Sequence, residues 1–395
     1  MQDTSKMTPR DLMYYRIKLV RDAQNWVKPD RMPINANMFN WMFLDAGYTV
    51  NNAYRDYAAI DDSLVKFVTK YKVDHINQLH TGFRNIFQMC DALGGSSVYT
   101  SEVDANMNAL PVNVIEPEEY DELTHDYTRT IWKKVLPRLF PKVEDMTPKE
   151  FAEASRSLKA YNDARAYSEG KLQNEYGIIV DAVPCLCPGF EALFNYWRGI
   201  KGLSIDLRRH KNKVSEYCAW EDEANTAAVL SALEAKGDGP DPEQPYDVCL
   251  VMLGNSIVNR KQFDQYYAQS FGKVLDYCRD HGKQAFVYAE GSWERFGDFF
   301  NSYPKGVCSI MVEQDDPYVL REKYPNVCLF GGLDVNLMGK VGAQDACVAM
   351  AKRAIDELGR DGGLILMPNK MVSYAYDMNS ENLRAVCDFV TSYQL

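Results

Sequence analysis

The stretch QAFVYAEGSWER (Gln284–Arg295) governs how the rest of the chain is read. Ala285, Phe286 and Val287 open an apolar run that stops at a carboxylate, Glu290, and Gly291-Ser292-Trp293 can turn the backbone away there. A short apolar run bounded by a turn is the pattern of a buried strand. Glu290 would then stand at the strand's carboxyl end, where parallel α/β folds place their chemistry. The alternative is that Glu290 belongs to the cap of the next helix, since Ser292 is itself a good capping residue.

The same rhythm repeats on both sides. Towards the C-terminus, strands are expected at 307–313, 326–333 and 363–367, with helices at 293–303, 342–358 and 380–393. Towards the N-terminus come a strand at 247–253, a helix at 260–281 and the loop Ala235–Pro245, too short to separate independent halves. The segment from Cys185 onwards reads as a loop and two helices. Further back, Gly177–Val183 reads as a strand. Residues 118–176 read as a charged helical insertion, with Trp132, Val135, Leu136 and Leu139 on one stripe. Val73–His80 and Met32–Asn37 are earlier strands, the second with Asn35 and Asn37 facing one side and Ile34 and Ala36 the other. Apolar positions at helical spacing fill 8–27, and another helix covers about 51–70.

Alternating strands and helices with near-continuous apolar strands predict an α/β fold with a parallel sheet covered by helices. At least eight strands favour closure over an open sheet. Neither G-x-G-x-x-G after the first strand nor a P-loop occurs, so nucleotide-binding open sheets lose their usual support. The 395 residues are expected to form one domain, 1–395.

A formal charge of -11 argues against general affinity for nucleic acid or anionic lipid, which needs a basic face. No segment approaches the ~18 apolar residues of a membrane span, and the N-terminus is charged where a signal peptide is apolar, so a cytoplasmic location is expected. The ten cysteines are scattered without a disulfide framework. Cys185 and Cys187 form a close pair, read here as packing rather than a metal site.

Several dispersed stretches resemble the uroporphyrinogen decarboxylase superfamily, which includes cobalamin-dependent methyltransferases. They are Pro29-Asp-Arg-Met-Pro33, Trp197-Arg-Gly199 with Asp206, Gly331-Gly-Leu-Asp334, Gly362 to Asn369, and Asp377 to Leu383. The resemblance implies a (β/α)8 TIM barrel with a helical insertion and a site at the strands' C-terminal ends. This chain lacks the arginines that follow the opening proline in true decarboxylases; Ile34 to Trp41 stands there instead. It also has Asn77 to His80 where they place an aspartate, and Tyr288-Ala-Glu290 where the zinc methyltransferases have His-x-Cys. It is more similar to the branch whose strand ends in Glu-Gly, many members of which are thought to demethylate small methylated compounds.

The candidate catalytic residues are therefore Glu290, His80 and Asp334, with Asn35, Asn37, Tyr288, Asn369, Lys370 and Tyr374 as candidate substrate contacts. For several of them a structural role stands beside the functional one: packing for Tyr288, capping for Asp334, rim packing for Tyr374. Glu313 and Asp315 read as solvated acids. If a metal is bound, His80, Glu290 and Asp334 offer nitrogen and oxygen ligands suited to zinc. The expected reaction moves a methyl group from a small donor, an aryl methyl ether or methylamine-like compound, to a corrinoid carried by a partner protein. Decarboxylation of a carboxylated substrate is one alternative, and a non-catalytic barrel that binds a tetrapyrrole or corrinoid is another. A homodimer is compatible with the sequence.

Overall fold

The computed structural model describes residues 2–77, 86–95, 98–100, 107–109 and 113–395. The strands, in chain order, are β1 (Asn35–Ala36), β2 (His75–Ile76), β3 (Val98–Thr100), β4 (Met107–Ala109), β5 (Ile179–Val180), β6 (Cys185–Leu186), β7 (Val248–Met252), β8 (Ala285–Ala289), β9 (Cys308–Met311), β10 (Cys328–Leu333) and β11 (Leu364–Pro368). β3 and β4 form a separate antiparallel pair. The others make two parallel sheets, ordered β5-β2-β1 and β6-β7-β8-β9-β10-β11. Single parallel bridges, Ile34 with Leu366 and Met38 with Val372, join β1 to the edge at β11.

Period-2 alternation divides the strand residues between two cores. Ala285, Val287 and Ala289 of β8 join the large core under the helices, as do Val248, Leu250 and Met252 of β7. Phe286 and Tyr288 face the other way and pack with Tyr246, Cys249, Met311, Phe330 and Met367. This second core also takes Ile17, Val20 and Ala23 from the helix Pro9–Gln24. That helix starts where Thr8 caps the Asp11 N–H and a proline occupies the first turn, both good starting signals.

The helix lies at the strands' N-terminal ends and is tied there by ions. Arg21 reaches Asp247 (Nη1 to Oδ2, 2.8 Å) and Gln284 Oε1 (2.6 Å). Arg16 and Arg31 both hold Asp74, the second through a bidentate pair at 2.8 and 2.6 Å. Burial works against the Asp74 charge, but Arg31 and Arg16 outweigh it and hold the carboxyl below its usual range.

The helical segment ends in a long helix, Pro148–Tyr176, opened by a Thr147/Glu150 capping box and closed by Gly177 at φ 61°. It delivers the chain directly into β5. Several expectations change, among them the helix at about 51–70, which breaks at Asp56 into Val50–Arg55 and Tyr57–Lys70. Cys185–Leu186, read as loop, is a strand in register with Cys249 and Leu250. The expected helix 260–281 breaks at Tyr267 into Arg260–Tyr266 and Ala268–Asp280. The one at 293–303 reduces to a 3-10 turn and the helix Gly297–Asn301. No helix among the described residues is long and apolar enough to cross a membrane.

Candidate active site

Glu290 follows β8 directly, its N–H bonded to Met252 O at 3.1 Å, which keeps it beside the end of β7. Gly291 then turns the chain at φ 70°, a conformation that side-chain-bearing residues rarely adopt. Glu290 keeps limited contact with solvent while protein surrounds it on most sides, as in a recess. Its carboxyl is pushed up to about 7, by burial first and then by the negative charges of Glu313 and Glu191. Among the described residues, no hydrogen-bond donor or cation engages it.

The neighbouring carboxylates are engaged. Glu191 is fully buried; Oε1 accepts from the N–H groups of Leu253 (2.8 Å) and Gly254 (2.9 Å) and from the Tyr267 hydroxyl (2.5 Å), and Oε2 from Asn195 (2.9 Å). Burial nevertheless raises its pKa, in spite of those four bonds. Glu313 accepts from the Gly291 N–H, so the turn after Glu290 is fastened to the end of β9. Asp315 is no solvated acid: it takes the Ser292 hydroxyl (2.5 Å) and the N–H groups of Trp293 (2.8 Å) and Glu294 (3.1 Å). The turn that presents Glu290 is thus held by two acids one strand away.

Inside the strands lies a polar layer. Asn35 and Asn37 do face together, as alternation predicts. The Asn35 amide lies 2.6 Å from His75 Nδ1 and 2.7 Å from Asn77 Oδ1. His75 Nε2 meets Asp181 at 2.9 Å, and Tyr246 donates to the same carboxylate at 2.8 Å. Tyr288 is buried and hydrogen-bonded with Asn37, its ionisation opposed first by burial and then by Glu290 and Glu313. Three buried polar atoms of this layer, Asn35 Oδ1, Asn37 Oδ1 and Asn77 Nδ2, have no partner among the described residues. Beside them Cys185 is exposed, its thiol hydrogen-bonded with that of Cys249.

The remaining sequence candidates have structural partners. Asp334 is exposed and caps the turn Val335–Met338, accepting from Asn336 N at 3.0 Å. That is the capping role that stood beside the catalytic one in the sequence. Asn369 accepts from Val335 N (3.0 Å) and donates to Glu313 O (3.2 Å), so it knits the ends of β9, β10 and β11. Lys370 pairs with Asp377 at 2.8 Å, and Tyr374 stacks on Tyr376 at 5.1 Å. His80 lies outside the described residues. Among the described residues no three His, Cys, Asp or Glu side chains gather as a metal site, and His80 is not among those residues.

Glu191, Asp181 and Asn255 escaped the sequence reading. Asp181 stands two residues after Ile179, so strand alternation alone places it inward. Glu191, within a short helix, carries no such signal.

No protein-family model and no curated protein matches the chain. Among solved structures it is similar to a methyltransferase from Methanosarcina mazei, at a TM-score of 0.58 and 10% identity, covering 95% of this chain and 98% of that one. At that identity the likeness speaks for a shared α/β fold alone.

Proposed function

We propose that the two sheets form one (β/α)8 barrel and that the chain is a methyltransferase, moving a methyl group from a small methylated donor to a corrinoid protein. The barrel reading is supported by the 179–186 segment, whose β5 part pairs with β2 and whose β6 part pairs with β7. Counted as one position beside β1, β2 and β7 to β11, it gives eight. The inward core then fills the barrel, and the helix Pro9–Gln24 plugs its lower end.

The observation that carries the chemistry is Glu290 at a strand's carboxyl end with a carboxyl near neutrality. A general acid works best when its pKa lies near the operating pH. When docked, the corrinoid would supply a strongly nucleophilic low-valent cobalt. The chain's part is to hold the donor, exclude water and place the Glu290 proton at the heteroatom that leaves as the methyl carbon is attacked. Burial, then Glu313, fixed by Gly291, and Glu191, fixed by its four bonds, keep the Glu290 pKa raised.

Decarboxylation of a polycarboxylate would need free cations at the mouth. Arg198 is committed to Asp206 (2.7 Å), Glu116 (2.8 Å) and Ile115 O (3.0 Å), and Lys370 to Asp377. Neither of these two is free to hold a substrate carboxylate. The test is incubation with a reduced corrinoid protein and a panel of methyl ethers and methylamines, following methylation of cobalt by absorbance. Turnover of at least one donor is expected, and silence across the panel would remove the reading.

A further inference from the structure

Near Glu290 stand buried acceptors with almost nothing to accept. Besides the Glu290 carboxylate, Asn37 Oδ1 is fully buried and without a partner among the described residues, although its amide nitrogen reaches Met311 Sδ at 3.9 Å and its side chain bonds Tyr288. Asn255 Oδ1 is likewise buried and unpartnered. It lies 3.9 Å from where a Cβ on Gly291 would stand, next to Glu290 in the chain, while its amide nitrogen is spent on Ser292 O at 3.1 Å. The guanidinium of Arg295 is turned onto the Asn255 carbonyl. Unpaired buried acceptors and an unpaired recessed carboxylate each cost free energy. All three are satisfied by one kind of group, a cation that carries N–H donors.

We propose that the methyl donor bound here is a protonated methylamine bearing at least one N–H, rather than an ether or a quaternary ammonium. The ammonium sits against Glu290 and donates to Asn37 Oδ1 and Asn255 Oδ1. A quaternary ammonium offers charge but no donor, and an ether offers neither. This rests on the methyl-transfer reading for its chemistry, which balances without further reagents. The methyl carbon–nitrogen bond breaks, its electron pair stays on nitrogen, and the amine leaves neutral because the proton was already aboard. The new bond to the methyl carbon takes its pair from the corrinoid nucleophile. With such a donor Glu290 is deprotonated and supplies the counter-charge that holds the substrate, in place of the proton delivery that an ether would require of it.

Binding can be measured on the full chain without any corrinoid, by calorimetry with dimethylammonium, tetramethylammonium, methyl phenyl ether and magnesium ion as probes. Dimethylammonium is expected to bind, with tetramethylammonium at least ~10-fold weaker, because a site built around hydrogen bonds rejects analogues that lack the donor. Glu290→Gln should weaken dimethylammonium at least ~10-fold, and circular dichroism checks its fold. The comparison of the two ammonium ions on wild type stands without any variant. Equal binding of both, preference for the ether, indifference to Glu290→Gln, or displacement by magnesium would each overturn the proposal. Dimethylammonium bound selectively but never demethylated would leave the proposal standing and remove the methyltransferase reading. Methyl phenyl ether demethylated with no dimethylammonium bound would do the reverse.

Discussion

The two ends of the parallel strands treat charge in opposite ways. At the N-terminal ends every buried ion described above is matched: Asp74 with Arg31 and Arg16, Asp247 with Arg21. At the C-terminal ends, among the described residues, Glu290 stands beside Glu191 and Glu313 with no cation, and amide oxygens go without donors. A buried charge is tolerable when paired and hydrogen-bonded, and strained when surrounded by its own sign. The lower end therefore contributes stability, and the upper end holds groups whose partners must come from elsewhere. Parallel α/β folds in general place their chemistry at the strands' C-terminal ends.

The largest effect is expected at the lower end. Asp74→Ala leaves Arg31 buried without its partner and should destabilise the fold by ~3–5 kcal/mol, read by denaturant titration. A loss below ~1 kcal/mol would mean that the pairing at this end is ornamental and the contrast is false.

Next comes the upper end, where Glu290→Gln should lower turnover at least ~100-fold, the usual scale for loss of a general acid or base, without loss of stability. If kcat survives and only KM rises, Glu290 positions the donor instead of acting on it.

Stability itself should show the contrast as a pH slope. Glu290 has its folded pKa raised from 4.5 to about 7, so between those values the folded state holds more protons than the unfolded one. Stability from this group is then present below the unfolded pKa and declines as pH rises towards 7. Glu290→Gln removes the decline, and at pH 8 the variant should be more stable than wild type by roughly 1–3 kcal/mol. Asp74 has the opposite sign: its pKa is depressed, so its contribution holds at neutral pH and fades only in acid.

The smallest effect sharpens the boundary of the site. Asp334→Ala should cost about 1 kcal/mol through its lost cap, with turnover changed less than ~3-fold. A loss of activity comparable with that of Glu290→Gln would return Asp334 to the reacting centre.

What the sequence determined by itself was the local part. The apolar runs at 248–252, 285–289, 308–311, 328–333 and 364–368 are strands because near-continuous apolar residues need cover on both faces, and the turn at Gly291 ends β8 where the chain stops being apolar. Two-residue alternation, a property of the backbone, put Tyr288, Asn35 and Asn37 on the inward side. Only the tertiary structure decided which acids are spent and which are free. Asp315 and Asp334 look alike in sequence, yet one fastens the turn beside Glu290 and the other, itself exposed, caps the short helix Val335–Met338. Glu191 reaches the Glu290 recess from nearly a hundred positions away, and Cys185 becomes a strand residue only because Cys249 lies beside it. Pairing of this kind depends on distances between segments remote in the chain. No window of sequence contains them, because an isolated carboxylate carries no mark of the cation it has or lacks.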